Sequence, residues 1–133
     1  MKIFEITAPA PSYPASVPTD YVLELVNRIH HSPEDIGDGD LGNRIWRFLR
    51  YELKQLPVKR LRQEWGLGLA DVDAYAAMPA GTAPPIIYDP KDRSIIDGSH
   101  RLAAAQQRGD KTILAYVGTQ PDPHWSPEGD DFD

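Results

Sequence analysis

Apolar residues recur at helical spacing in two places near the start of the chain. Val22, Leu25, Val26 and Ile29 fall on one face of a helix that Thr19 or Asp20 can N-cap. Leu41, Ile45, Phe48 and Leu49 repeat the pattern and predict a second helix over 41–49. Residues 1–6 read as a short strand, and Pro9, Pro11, Pro14 and Pro18 then forbid regular structure. Ser32, Pro33 and the run 37–40 (Gly-Asp-Gly-Asp) form a loop. The period then switches to two. Residues 51–56 alternate up to Pro57 and predict a strand, Ile86-Ile87-Tyr88 a buried strand, and Ser94-Ile95-Ile96 its return after the turn Asp89-Pro90-Lys91-Asp92. Between them, 69–78 is a short Ala-rich helix ended by Pro79 and Gly81. Asp97-Gly98 breaks the returning strand. A helix over 99–108 follows, with Leu102, Ala103 and Ala105 available to pack and Gly109 as its C′ stop, and 112–117 is the last strand. The sum is an α+β domain, a small mixed sheet packed by several helices.

At 133 residues the chain predicts one domain. The absence of cysteine excludes disulfides, thiolate metal sites and any thiol nucleophile. No apolar run approaches the roughly 20 residues of a membrane span, and Lys2-Ile3-Phe4-Glu5 is not a signal peptide, so no membrane partner and a cytoplasmic location are expected. The net charge of -6 conceals an asymmetry. Residues 44–62 hold Arg44, Arg47, Arg50, Lys54, Lys59, Arg60 and Arg62 against the single acid Glu52. Arg44, Arg47 and Arg50 recur every three residues, which on a helix would gather them on one surface, either as a solvated face or as a candidate nucleic-acid contact. From Thr119 onward, three prolines and five acids predict a disordered tail, in which Trp125 and Phe132 are either idle, the favoured reading, or docking anchors.

The chemistry-bearing run is Ile95-Ile96-Asp97-Gly98-Ser99-His100-Arg101-Leu102: strand, tight turn, helix. The first backbone N–H groups of a helix have no internal partner, and the helix dipole adds positive potential there, so the turn is a ready anion site. Gly98 lets an anion approach the backbone. His100 and Arg101 place cations where a helix ordinarily prefers acids, which suggests that an anion is meant to be present. The competing reading is local: Asp97 caps the helix, Arg101 pairs with Asp97, and His100 is half-buried and satisfied.

Residues 51–118 resemble the ParB N-terminal/sulfiredoxin-like domain. The resemblance rests on the ordered set of a strand ending in Leu56-Pro57-Val58 with basic residues after it, a short helix, the strand led by Pro84-Pro85, a hairpin, the Asp97-Gly98-Ser99-His100-Arg101 turn, an Ala-rich helix and a final strand. It implies a nucleotide-binding core over 51–118; outside the resemblance, 1–50 read as an N-terminal strand and helical extension and 119–133 as the acidic tail. It implies that Gly98, Ser99, His100 and Arg101 bind nucleotide phosphates, aided by Arg60 or Arg62, and that the short helix offers polar groups, Asp71 and perhaps Asp73 among them. Ser99 stands where sulfiredoxin requires cysteine, so sulfiredoxin activity is excluded. The chain offers only an acidic tail after Gly118, so the resemblance does not extend to a whole partition protein with its DNA-reading domain.

Compact members of that superfamily include kinases acting on free serine or on hydroxymethyluracil in DNA. The resemblance therefore implies a small phosphotransferase using ATP (or CTP) with Mg²⁺. Glu52, Asp71, Asp73, Asp97 and His100 are the candidates for proton transfer, with DNA as one possible substrate. The alternatives are a nucleotide-gated binding module without chemistry and a DNA-binding or nuclease-like protein. No histidine spacing suggests zinc, and no direct protein cluster for a metal is expected.

Overall fold

The computed structural model describes residues 13–30, 40–62, 69–78 and 82–127. The expected strand at 1–6, the loop residues Ser32, Pro33 and 37–39, and Pro79, Gly81 and Phe132 lie outside the described residues, while Asp40, read as the end of that loop, begins a helix. The elements in chain order are β1 (Ser16–Pro18), α1 (Thr19–His30), α2 (Asp40–Ile45), β2 (Arg50–Pro57), a 3-10 turn (Val58–Arg60), α3 (Leu69–Ala76), β3 (Ile86–Asp89), β4 (Ser94–Asp97), α4 (Ser99–Arg108) and β5 (Thr112–Gly118). The protein is thus a mixed α+β fold. Its five strands form one sheet in the order β1-β2-β5-β3-β4, antiparallel throughout except for the parallel pair β3 and β5.

Alternation along the strands divides the core into two. Val17, Tyr51, Ile87, Ile96 and Tyr116 face one side, where Val22, Leu25 and Val26 of α1 join Ile45 and Phe48 over them. Ile86, Ile95, Ala115 and Val117 face the other side, beneath Leu102 and Ala105 of α4 and beside Val58 and Leu61. On its outer face α4 buries Ala103 and Ala104 against Val72 of α3. Small residues are needed there because α4 is covered on both sides. The segment expected as an extension therefore supplies an edge strand and the cover of one sheet face.

Three expectations differ from the structure. Pro18, expected to forbid regular structure, instead closes β1, an edge strand where a missing N–H is tolerated. The helix anticipated over 41–49 ends at Ile45, and Arg50 already belongs to β2. The backbone from 48 onward is claimed from both sides: Leu49 donates to Gln120 O at 2.7 Å, and Leu49 O accepts from Thr19 N–H. Arg44, Arg47 and Arg50 are consequently not a stripe on one helix. Arg44 reaches Ser94 Oγ and Ile95 O, Arg47 the carboxylates of Asp89 and Asp92, and Arg50 the hydroxyl of Ser16. Nor is the start of the tail loose. Residues 119–127 pack on the α2–β2 connection, where the Trp125 indole donates to Asn43 O at 2.6 Å and its ring lies 4.7 Å beneath the Arg47 guanidinium carbon.

Candidate functional site at the N-terminus of α4

β4 ends on Asp97, and Gly98 takes a left-handed conformation (φ 115°, ψ 19°) as the N-cap of α4. A β-carbon at this position would sit 2.6 Å from Ile86 Cγ2 and 3.0 Å from an Arg101 Nη, so close packing and positive φ both demand glycine. Gly98 has no side chain with which to cap the helix, and no acid stands in its first turn. The N-cap residue and the first turn therefore bring no negative charge to the positive end of the dipole. Ser99 lies almost buried at the first helical position and His100, half-buried, at the second. At the far end Gly109 adopts φ 79°, and Asp110 N–H returns to Ala105 O at 2.9 Å, the closing bond of a Schellman cap.

Arg101 turns inward. It is 4% exposed, and one Nη donates both to Pro85 O and to Asp97 Oδ2, each at 3.1 Å. Its guanidinium carbon lies 5.8 Å from the centre of the Tyr75 ring. Its Nε is buried without any hydrogen-bond partner. A donor in that state costs about 1–3 kcal/mol. The local Asp97–Arg101 pairing is thus present, and the N-cap position is taken by Gly98 rather than Asp97. Arg101 supplies positive charge beneath the turn rather than a fork open to solvent.

The other expected site residues lie at various distances. Val58 and Leu61 bury under α4 and leave Lys59, Arg60 and Arg62 exposed beside them. Glu52 is exposed on β2, 4.0 Å from Lys54 Nζ. Three strand spacings separate β2 from β4, so Glu52 stands roughly 14 Å or more from Asp97. Asp73 contacts Gln107 Nε2 at 3.4 Å, about 12 Å along α4 from its first residue. Asp71 lies in α3, and its side chain is outside the described residues. Among the described residues, no group of three His, Asp or Glu side chains is placed to hold a metal ion. No helix among them is long and apolar enough to cross a membrane.

Two features had no signal in the sequence. Asp89, 2% exposed, accepts from Arg47 Nη1 at 2.9 Å and from the backbone N–H groups of Lys91 and Asp92. Burial works against the Arg47 charge, but Asp92 and Asp89 outweigh it and push its pKa above the ordinary value. Arg108 Nη1 donates to Tyr75 O at 2.8 Å, tying α3 to the end of α4. Both are contacts between segments far apart in the chain. No family model, curated protein or solved structure matches the chain.

Proposed function

We propose that the protein binds a nucleotide through its phosphates at the N-terminus of α4 and transfers the γ-phosphate of ATP to a hydroxyl acceptor. The observation that carries this reading is the first turn of α4 behind a left-handed Gly98 that offers no capping side chain, with no acid in the turn, a half-buried His100 and the buried Arg101 charge below it. Backbone N–H groups and the dipole attract the phosphate oxygens. Arg60 at the end of the 3-10 turn and Arg62 just after it, both exposed, add long-range attraction. Mg²⁺ would arrive with the nucleotide phosphates, as such ions usually do. In the transfer step the acceptor oxygen attacks the γ-phosphorus and the bond to the bridging oxygen breaks. ADP leaves with that electron pair, and the hydroxyl proton passes to His100. The resemblance to the ParB/sulfiredoxin superfamily supports the same site.

One observation favours a second reading, a nucleotide-gated binding module without chemistry. Of the carboxylates named for proton transfer, Glu52 and Asp73 stand well away from the turn, and Asp97 is engaged by Arg101.

The discriminating substitution is His100→Asp. An acid in the first turn suits the helix dipole, so stability should hold within about 1 kcal/mol, whereas phosphate is repelled and nucleotide affinity should fall at least about tenfold. The wild-type protein with Mg²⁺ and γ-labelled ATP should label one of serine, plain DNA or hydroxymethyluracil-containing DNA, and the variant should not. Nucleotide affinity unchanged in His100→Asp would remove the site from α4. Binding without label on any acceptor would select the gated module.

A further inference from the structure

β5 is paired along its whole length with β2, from Thr112 opposite Pro57 to Gly118 opposite Tyr51. On its other side the pairing with β3 begins only at Ala115, opposite Ile86. The cause lies in the sequence. Pro84 and Pro85 have no N–H to offer a ladder and restrict the residues before them, so the chain cannot extend β3 backwards. Among the described residues, Thr112, Ile113 and Leu114 are left without a strand neighbour on that side, and a cavity of about 370 Å³ opens there. That volume suits a small organic ligand.

The cavity is lined by Ala83 and Pro84, by Lys111 to Leu114 of the β5 segment with Gln55 of β2 paired opposite Leu114, and by Arg101, Arg108 and Asp110 of the α4 region. Three of these residues are cations and one is a carboxylate, in a chain whose net charge is -6. The cations are not equivalent. Arg108 is occupied, with Nε and Nη2 on Asp110 and Nη1 on Tyr75 O. Arg101 is only half used. One Nη holds Asp97 and Pro85 O, while its Nε is buried with no partner. Lys111 is exposed at the rim. Pro84, Ile113 and Leu114 give the cavity an apolar side.

We propose that this cavity is a second binding site, taking a small molecule that carries an oxyanion group, phosphate or carboxylate, on an apolar body. The oxyanion lies against the Arg101 guanidinium and is drawn in by Lys111, and the apolar body lies against Pro84, Ile113 and Leu114. The Arg101 charge is only partly matched, since the one Nη that reaches Asp97 also serves Pro85 O while Nε has no partner, and an oxyanion ligand supplies the missing negative charge. The site shares the Arg101 charge with the proposed nucleotide turn but uses β5 and the Ala83–Pro84 wall rather than the Ser99 and His100 amides, so the two are told apart by which amides respond.

The test is a pair of NMR titrations of the full chain, one with inorganic phosphate and one with acetate, against sodium chloride at matched ionic strength. The assigned Arg101 Nε–Hε signal and the amides of 111–114 should shift saturably with one of the two anions, and the anion that saturates names the ligand class. Lys111→Glu should weaken that binding about five- to tenfold, the scale of one exposed charge contact. Ala83→Phe, which fills the cavity, should abolish it while the Ser99 and His100 amides keep their positions. The proposal is overturned if neither anion moves the Arg101 signal beyond the chloride control, if the shifts are confined to the first turn of α4, or if both variants bind like the wild type.

Discussion

Gly98 and Arg101 fix each other. The left-handed glycine turns β4 into α4, and the space where its β-carbon would stand is filled by Ile86 and the Arg101 guanidinium. Gly98→Ala must therefore meet a strained φ and two close contacts at once. An unfolding free energy lowered by about 2–4 kcal/mol in denaturant titration is the expected outcome. A loss under about 1 kcal/mol would mean that the turn relaxes without harm and that the glycine serves ligand approach alone. The strand–turn–helix at this point was legible from Asp97-Gly98 and the Ala-rich run after it, and so was the possible pairing of Arg101 with Asp97. The inward course of Arg101 was not. It depends on Pro85 O, which lies 16 residues away and is brought to the turn only by the pairing of β3 with β4.

At the scale of elements, local periodicity found all four helices among the described residues and the strands from β2 onward, because each carries its own apolar pattern. It failed where distant segments decide. β1 has three residues and exists through its register with 50–52. α2 stops at Ile45 because Thr19 and Gln120 take up the Leu49 backbone that the apolar spacing would have made helical. The acidic composition after Thr119 concealed the docking of Trp125. Its indole bond to Asn43 O, its stacking with Arg47, the Phe48–Pro121 bridge and the Asp122 N–H to Arg47 O bond hold 119–127 against the α2–β2 connection. Trp125→Ala removes two of these four ties. Stability should fall by about 1–3 kcal/mol, and amide exchange should quicken over 119–127 and at Leu49, whose N–H is held by Gln120 O. Unchanged exchange at Leu49 would show that the tail holds without its indole.

For the whole molecule, the face covered by α1 and α2 is sealed by phenols. Tyr51 is fully buried and donates to Ile45 O, and Tyr116 is fully buried, donates to Pro14 O and meets the Tyr21 ring edge-on at 6.0 Å. Burial pushes both phenols well above the usual range, with Asp89 adding to the effect at Tyr51 and Tyr21 at Tyr116. Tyr13, packed against the same cluster, is raised as well, again chiefly by burial. A phenol whose pKa is raised by folding stabilises the native state fully below the unfolded value of about 10, and that contribution is lost as pH climbs above it, because only the unfolded chain gives up the proton. Two such groups remove about 2.7 kcal/mol for each pH unit beyond that point. With a total stability of about 5–15 kcal/mol to draw on, the fold should collapse cooperatively within a few units above pH 10. Tyrosinate absorbance should rise for these residues together with the loss of helical circular dichroism, not before it. Tyr51→Phe and Tyr116→Phe should each halve the alkaline slope while costing about 1 kcal/mol at neutral pH for the lost hydrogen bond. Smooth titration of all six tyrosines near pH 10 in a folded protein would mean that water reaches this face, and that α1 and β1 do not close the sheet as the packing requires.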